Sequence, residues 1–399
     1  MQEATGPLKG LRVIELGVLL AGPFCGQLLG DMGAEVIKVE PPGQPDPLRE
    51  WGQVKPDDKS LWFPVVGRNK KMITLNLRHE DGQNMLKDLV AKSDILVENF
   101  RPGTMEKWGL GYDVLKAINP GLIMVRISGY GQTGPNAKKA GYASVGEAFG
   151  GMRYVMGEPD RMPSRAGISL GDSLAATFGA MGALAALQHR NATGQGQMVD
   201  SAIYEACLSM MESLVPEYGV AGHIRERTGS FLPKIAPSNV YPASDGMMII
   251  AANQDTVWRR LAEAMGRPEL ADDPKFKSHV PRGENQAEID ALISDWSRKL
   301  TQAEIADVCE AHGVPCGPIY TGKEMMDDPH YAARESITQV PHPHFGTIPM
   351  QNVFPKFSET PGNIRWSAPE TGAHNEEIYG DLLGRSDDDL NALKESGTI

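Results

Sequence analysis

The chain has 399 residues, 41% hydrophobic and 23% charged, which is a globular composition rather than a disordered or membrane-embedded one. Its formal net charge of -12 argues against nucleic acid or an anionic membrane as a partner, so any anionic ligand must meet a local basic pocket. The four cysteines (Cys25, Cys207, Cys309, Cys316) form no C-x-x-C pair, and the nine histidines show no H-E-x-x-H spacing. These features predict reduced thiols in a cytoplasmic protein and no metal site.

A strand-like run begins at Leu11, which leaves no room for a leader segment. No apolar stretch approaches the ~20 residues of a membrane span. Residues 11–16 read as a buried strand, 21–32 as a helix ended by Gly33, and 34–40 as a second strand. This is a βαβ unit, which implies parallel strands and a right-handed crossover. Strands follow at 72–77, 94–99 and 122–127, with helices at 81–91 and 112–118 between them. The alternation predicts an α/β fold with an open, doubly wound sheet.

From Asp172 the texture changes. Residues 173–190 read as a helix rich in Ala and Gly, and 201–214 as a second one. Small residues let such helices pack closely. Residues 219–237 look like a linker. A smaller α+β unit follows, with a strand at 247–252, helices at 256–265, 287–300 and 302–312, and a closing strand at 314–319. After Pro329 the chain is rich in Pro and Gly and reads as a return segment along the surface.

Glu40 closes the second strand, where dinucleotide-binding domains keep a ribose-binding acid. The glycine fingerprint is missing, however. The first turn reads Gly17-Val18-Leu19-Leu20-Ala21-Gly22-Pro23, and its bulky residues block a pyrophosphate. A nicotinamide cofactor is therefore not expected. Arg68-Asn69-Lys70-Lys71 is a basic cluster in an acidic chain. It reads either as a solvated loop or as a phosphate anchor, joined by Arg78, Arg101 and Lys107 from nearby loops. Asn99-Phe100-Arg101-Pro102-Gly103 follows a strand at the sheet end where open α/β sheets bind ligands.

Gly171-Asp172-Ser173 precedes the Ala-rich helix. The plain reading makes Asp172 or Ser173 an N-cap. The chemical reading makes Asp172 a nucleophile, because a helix N-terminus favours its ionised form. The two roles compete, since a carboxylate engaged by backbone amides attacks poorly.

Together these stretches resemble the class III CoA-transferase family over nearly the whole chain. The resemblance rests on residues 8–16, 21–23, 31–40, 97–103 and 128–135, and on Gly171-Asp172-Ser173. It implies a CoA-transferase with Asp172 as the covalent residue and acyl-CoA plus a small carboxylic acid as substrates. It implies CoA contacts at Leu19, Ala21, Leu75, Arg78, Asn99, Phe100, Arg101, Lys107 and Tyr142, with Arg68 and Lys71 as added phosphate candidates. It also implies a large Rossmann-like domain over 1–220 completed by 330–399, a linker at 221–239, a small α+β domain over 240–329, and an interlocked homodimer.

The related 2-methylacyl-CoA racemases carry a histidine base where this chain has Tyr142, and tyrosine is a poor proton acceptor at neutral pH. Racemization and non-catalytic CoA binding are the alternatives. Some family members place an arginine after the second strand to meet adenine; here it is Pro41. The glycine-rich lid of the formyl-CoA:oxalate enzymes is replaced by residues 229–239, which speaks against oxalate. Those residues and 150–153 look more like the succinyl-CoA:dicarboxylate branch, such as the glutarate enzymes, and glutarate or itaconate is an expected acceptor. A dicarboxylate needs a cation at its far end, for which Arg153 and Arg165 are candidates. Gln132, Ser238 and Asn239 complete the substrate-side candidates.

Overall fold

A computed structural model describes residues 3–399. They divide into two compact units. The first runs to Met152, resumes over Ala166–Pro216 and closes with Ala332–Ile399; the second holds Arg153–Arg165 and Glu217–Tyr331.

The first unit is built on six strands: β1 Arg12–Glu15, β2 Glu35–Glu40, β3 Lys70–Thr74, β4 Ile95–Glu98, β5 Ile123–Ser128 and β6 Met198–Ala202. Their order is β3-β2-β1-β4-β5-β6, and every neighbour is parallel. Val13, Ile14, Ile37, Leu96 and Val125 are fully buried, as expected when helices cover both faces of a parallel sheet. The main helices are α1 Ala21–Asp31, α2 Glu80–Val90, α3 Tyr112–Ile118, α4 Ala143–Phe149, α5 Leu170–Thr193 and α6 Ile203–Leu208. The strand order reverses between β1 and β4, so their carboxyl ends open a crevice.

Three sequence expectations change here. The helix expected at 201–214 is the end of β6 followed by the short α6. The helix expected from Ser173 begins at Leu170, so Asp172 lies inside its first turn and Ser169 flanks it. At 24 residues α5 is long and apolar enough to cross a bilayer by length and composition, contrary to the expectation of no such stretch. Its small residues press it onto the sheet instead. A Cβ on Gly179 would sit 3.1 Å from Val125 Cγ1, and one on Gly182 only 2.6 Å from Val199 Cγ1.

The second unit has an antiparallel sheet of β7 Ser238–Pro242, β8 Met247–Ala251 and β9 Cys316–Pro318. Helices α7 Asp255–Ala264, α8 Gln286–Ser297 and α9 Gln302–Ala311 bury Trp258, Leu261, Ile289, Ile293 and Ile305 against it. Residues 221–239 do not form a free linker. Ala236 is fully buried in this core, the Lys234 amide donates to Gln286 Oε1 at 3.0 Å, and the Gly229 amide donates to the Gly157 carbonyl at 3.0 Å. The last bond ties 153–165 to the same unit.

The return segment begins with a hairpin of β10 Ile337–His342 and β11 Gly346–Gln351. It then runs beside the outer strand β3. The Trp366 carbonyl takes the Asn69 amide at 3.2 Å, His374 Nδ1 takes the Met72 amide at 3.1 Å, and Asn375 Oδ1 takes the Thr74 amide at 2.9 Å. Tyr379 donates its hydroxyl to the Thr74 carbonyl at 2.8 Å. Main-chain and side-chain groups of this segment thus satisfy an edge that another strand would otherwise pair with. Ile378, Tyr379, Leu390 and Ile399 enter the core of the first unit, so the segment is more than a surface strap.

Candidate active site

The site grows from the turn between β1 and α1. A Cβ on Gly17 would lie 2.7 Å from Gly22 Cα, so only glycines let the turn close this tightly. Leu19 adopts φ 65°, in the left-handed region. Such a conformation costs a bulky residue roughly 1–3 kcal/mol and persists only where the surroundings enforce it. Three side chains do so. Asn99, just past β4, takes the Val18 amide at 2.8 Å and donates to the Val18 carbonyl at 2.9 Å. The Asp46 carboxylate takes the Leu19 amide at 3.2 Å. Lys38 donates to the Gly17 carbonyl at 2.7 Å.

Below the turn lies a buried ion network. Lys38 meets Glu15 at 3.0 Å and Asp46 at 2.9 Å, and Lys70 meets Glu15 at 2.6 Å. Burial opposes the charge on Lys38, but Glu15, Asp46 and Glu40 outweigh it and raise its pKa. On Lys70 burial wins, and its pKa is lowered. Removing one member of such a buried network leaves another charge unpaired and costs about 3–5 kcal/mol. Glu40, in the ribose-acid position, is instead held by Arg49 at 2.8 Å and by the Asp46 amide at 2.9 Å.

Glu98 closes β4 in the same manner. It takes the Phe100 amide at 2.6 Å and Arg126 Nε at 2.6 Å, while Arg126 also meets Glu106 at 2.6 Å. Burial pushes the Glu98 carboxyl up to about 7 against the pull of Arg126. The start of the 99–103 loop is therefore anchored at both Asn99 and Phe100.

Two adjacent cavities open over these strand ends. The outer one, of about 320 Å³, has walls of Leu16, Val39, Leu75, Leu77 and Trp108, with Pro41, Pro42, Asn76 and Arg78 around them. The inner one, of about 250 Å³, is lined by Leu19, Leu20, Ala21, Asn99, Arg101, Ser128, Gly129, Tyr142 and Asp172. Val18 and Phe100 are walls of both. The Phe100 ring meets Trp108 edge to face at 5.3 Å. An apolar slot ending at a half-buried carboxylate suits a ligand with a flat or aliphatic body and an electrophilic tip.

Most residues singled out from the sequence converge here. Leu19, Ala21, Asn99, Phe100, Arg101, Tyr142 and Asp172 line the inner cavity, and Leu75 and Arg78 the outer one. Lys107 ends the short helix Thr104–Lys107 as an exposed side chain and lines neither. Gln132 lines a separate cavity with Arg126 and Lys138, and its amide donates to Asp200 at 2.8 Å.

The basic cluster is engaged within the fold. Arg68 is buried and gripped by Asp31 at 2.6 Å, with a further bond to the Gln351 carbonyl at 2.5 Å. Lys71 is bound by Glu35 and by Glu377. Each cation thus satisfies an acid distant in sequence. In the second unit, Asn239 is likewise committed, accepting from Ser230 at 2.6 Å and donating to Asp290 at 2.9 Å. Ser238 opens β7 beside it; Arg153 and Arg165 fall in the same unit.

Sequence reasoning missed Val18 and Leu20 as walls, and it missed Asp46 and Glu147. Val18 and Leu20 had a signal, since they directly follow a β-strand that ends at the switch point. Glu147 had none, being a lone acid on a short helix. It is 2% exposed and accepts the Gly171 amide at 3.1 Å. Among the described residues, no group of three or more His, Cys, Asp or Glu is placed to hold a metal ion.

The description CoA-transferase family III matches residues 8–375. A succinyl-CoA–D-citramalate CoA-transferase of Chloroflexus aurantiacus is 57% identical over 399 residues, covering 100% of this chain and 99% of that one. The beta subunit of a succinyl-CoA–L-malate CoA-transferase from the same organism is 41% identical, covering 99% of this chain and 98% of that one. A solved CAIB/BAIF family protein from Brucella suis superposes with a TM-score of 0.84 at 34% identity, covering 95% of this chain and 100% of that one.

Proposed function

Because the chain belongs to CoA-transferase family III, we propose that it moves CoA from succinyl-CoA to a small 2-hydroxydicarboxylate, with Asp172 as the covalent nucleophile. The two relatives named above act on citramalate and malate by their names, and both acids carry a 2-hydroxyl group. This puts such an acceptor ahead of glutarate or itaconate. The observation that carries the chemistry is Asp172 in the wall of the inner cavity, which adjoins an apolar slot. The CoA thioester is a substrate here. Its nucleotide end fits the outer cavity, with Arg78 for phosphate, and its pantetheine arm fits past Val18 and Phe100.

Asp172 attacks the succinyl carbonyl, and the C–S bond breaks to release CoA as thiolate. A mixed anhydride of Asp172 and succinate remains. The thiolate attacks the Asp172 acyl carbon and expels succinate, leaving an aspartyl-CoA thioester. The acceptor carboxylate attacks that carbon and expels the thiolate, giving a second anhydride. The thiolate then attacks the acceptor carbonyl, which restores Asp172 and completes the new thioester. Each acyl intermediate is sensitive to water, so the apolar walls serve to exclude it. The first-turn position on α5 favours the ionised carboxylate.

The family expectation of an interlocked homodimer fits the exposed Ile168, Met181 and Val215 of the first unit. The cytoplasmic expectation fits four free thiols.

The test is a panel of dicarboxylic acids with succinyl-CoA, read by mass spectrometry, on wild type and on Asp172→Ala. Asp172→Ala keeps the fold and loses transfer, and hydroxylamine with acyl-CoA traps residue 172 of the wild type as a hydroxamate. Transfer by the alanine variant sinks the mechanism. No transfer to citramalate or malate sinks the acceptor class.

A further inference from the structure

We propose that Glu147 is a positioning residue for Asp172, fixing the first turn of α5 through the Gly171 amide. This rests on the reading of Asp172 as nucleophile. Glu147 sits on α4, is 2% exposed, and reaches across to accept the Gly171 N–H at 3.1 Å. That amide belongs to the residue directly before Asp172. A first-turn amide normally goes to a capping side chain on its own helix. Here an acid from another helix takes it.

The packing around this bond is tight. A Cβ on Gly171 would stand 3.0 Å from Glu147 Cγ and 3.1 Å from Ile203 Cγ2. On α4, a Cβ on Gly146 would stand 2.5 Å from Ile203 Cγ2, and one on Gly150 2.4 Å from the Tyr204 carbonyl oxygen. Glycines therefore let α4, α5 and α6 meet so closely that Glu147 has little room to turn elsewhere.

The buried Cys207 thiol lies near both Glu147 and Asp172. Burial, Glu147 and Asp172 together push it up to about 11, so it stays neutral at assay pH.

The other titratable groups on the packed elements have their own commitments. On α6, Tyr204 is bonded to the exposed Glu205. On β5, Arg126 is held by Glu98 and Glu106. On β6, Asp200 holds the Gln132 amide, and on α1, Asp31 holds Arg68 while Cys25 is a buried thiol. Arg101 and Tyr142 line the inner cavity together with Asp172.

The experiment compares Glu147→Gln and Glu147→Ala with wild type and Asp172→Ala in steady-state succinyl-CoA transfer across pH. Glutamine keeps the acceptor oxygen and the volume but loses the charge. Its KM for succinyl-CoA stays unchanged, because Glu147 does not line the cavity. Because that acceptor oxygen still takes the Gly171 amide, its kcat stays within about twofold of wild type. Alanine loses the amide contact, and its kcat falls on the order of tenfold with KM unchanged. A wild-type kcat in Glu147→Ala, or an equal loss in both variants, beside an inactive Asp172→Ala, overturns this inference alone. Activity in Asp172→Ala overturns it together with the nucleophile.

Discussion

Replacing Asn99 by alanine removes both side-chain bonds that hold Val18, at 2.8 and 2.9 Å. Each such bond is worth about 1 kcal/mol net, so the pair amounts to about 2 kcal/mol. Asn99 is only half-buried, and water from the cavity can reach the freed groups, which argues against a larger loss. The effect on binding is more telling. Leu19 stays at φ 65° only while the turn is clamped, and Asp46 and Lys38 are then its remaining holds. Relaxation of Leu19 shifts a wall of the inner cavity. The unfolding free energy in urea should drop by about 2 kcal/mol, and CoA affinity measured by titration calorimetry should weaken by about tenfold, or roughly 1.4 kcal/mol. Asn99→Asp, which keeps the acceptor for the Val18 amide but loses the donor, should fall between the two. A stability loss under about 0.5 kcal/mol with unchanged CoA affinity would refute the clamp.

Arg68→Met should lower stability by about 3–5 kcal/mol, because Asp31 is left as a buried charge. The folded enzyme should keep its KM for acyl-CoA, and a raised KM would return Arg68 to the phosphate site. His374 accepts the Met72 amide through Nδ1, so it must be neutral there. Burial lowers its pKa below the usual 6.5. Its contribution is therefore present above the unfolded value and lost as pH falls through the lowered folded value. Wild type should lose stability below about pH 6.5 more steeply than His374→Gln, which has no charge to gain. Equal slopes in chemical unfolding at a series of pH values would contradict this.

The sheet was readable because its central strands are rich in Val, Ile and Leu. Residues 11–16, 34–40 and 122–127 carry that signature, and β1 and β2 lie within the first two while β5 runs one residue past the third. The outer strand β6 was not readable, since its exposed Met198 and Asp200 give neither alternation nor a run. Charges misled for a different reason. Arg68 and Lys71 looked like ligand-binding cations because their acids, Asp31, Glu35 and Glu377, are 37, 36 and 306 residues away in sequence. Asp172 and the 99–103 loop were visible because local sequence sets both a helix start and a post-strand turn. Glu147 became visible only when folding brought α4 against α5.

The closing of β3 by residues 366–379 also bears on biosynthesis. The ribosome delivers the six sheet strands early and residues 366–379 nearly last. Until then the outer strand has bare amides at Met72 and Thr74, and the core lacks Ile378, Tyr379, Leu390 and Ile399. The second unit, 153–165 with 217–331, emerges whole before that moment and is free to fold first. A nascent chain stalled before about residue 366 would thus present an open strand to its neighbours, and polysome-bound holdases would find their target in the amino-terminal half rather than in the segment last made.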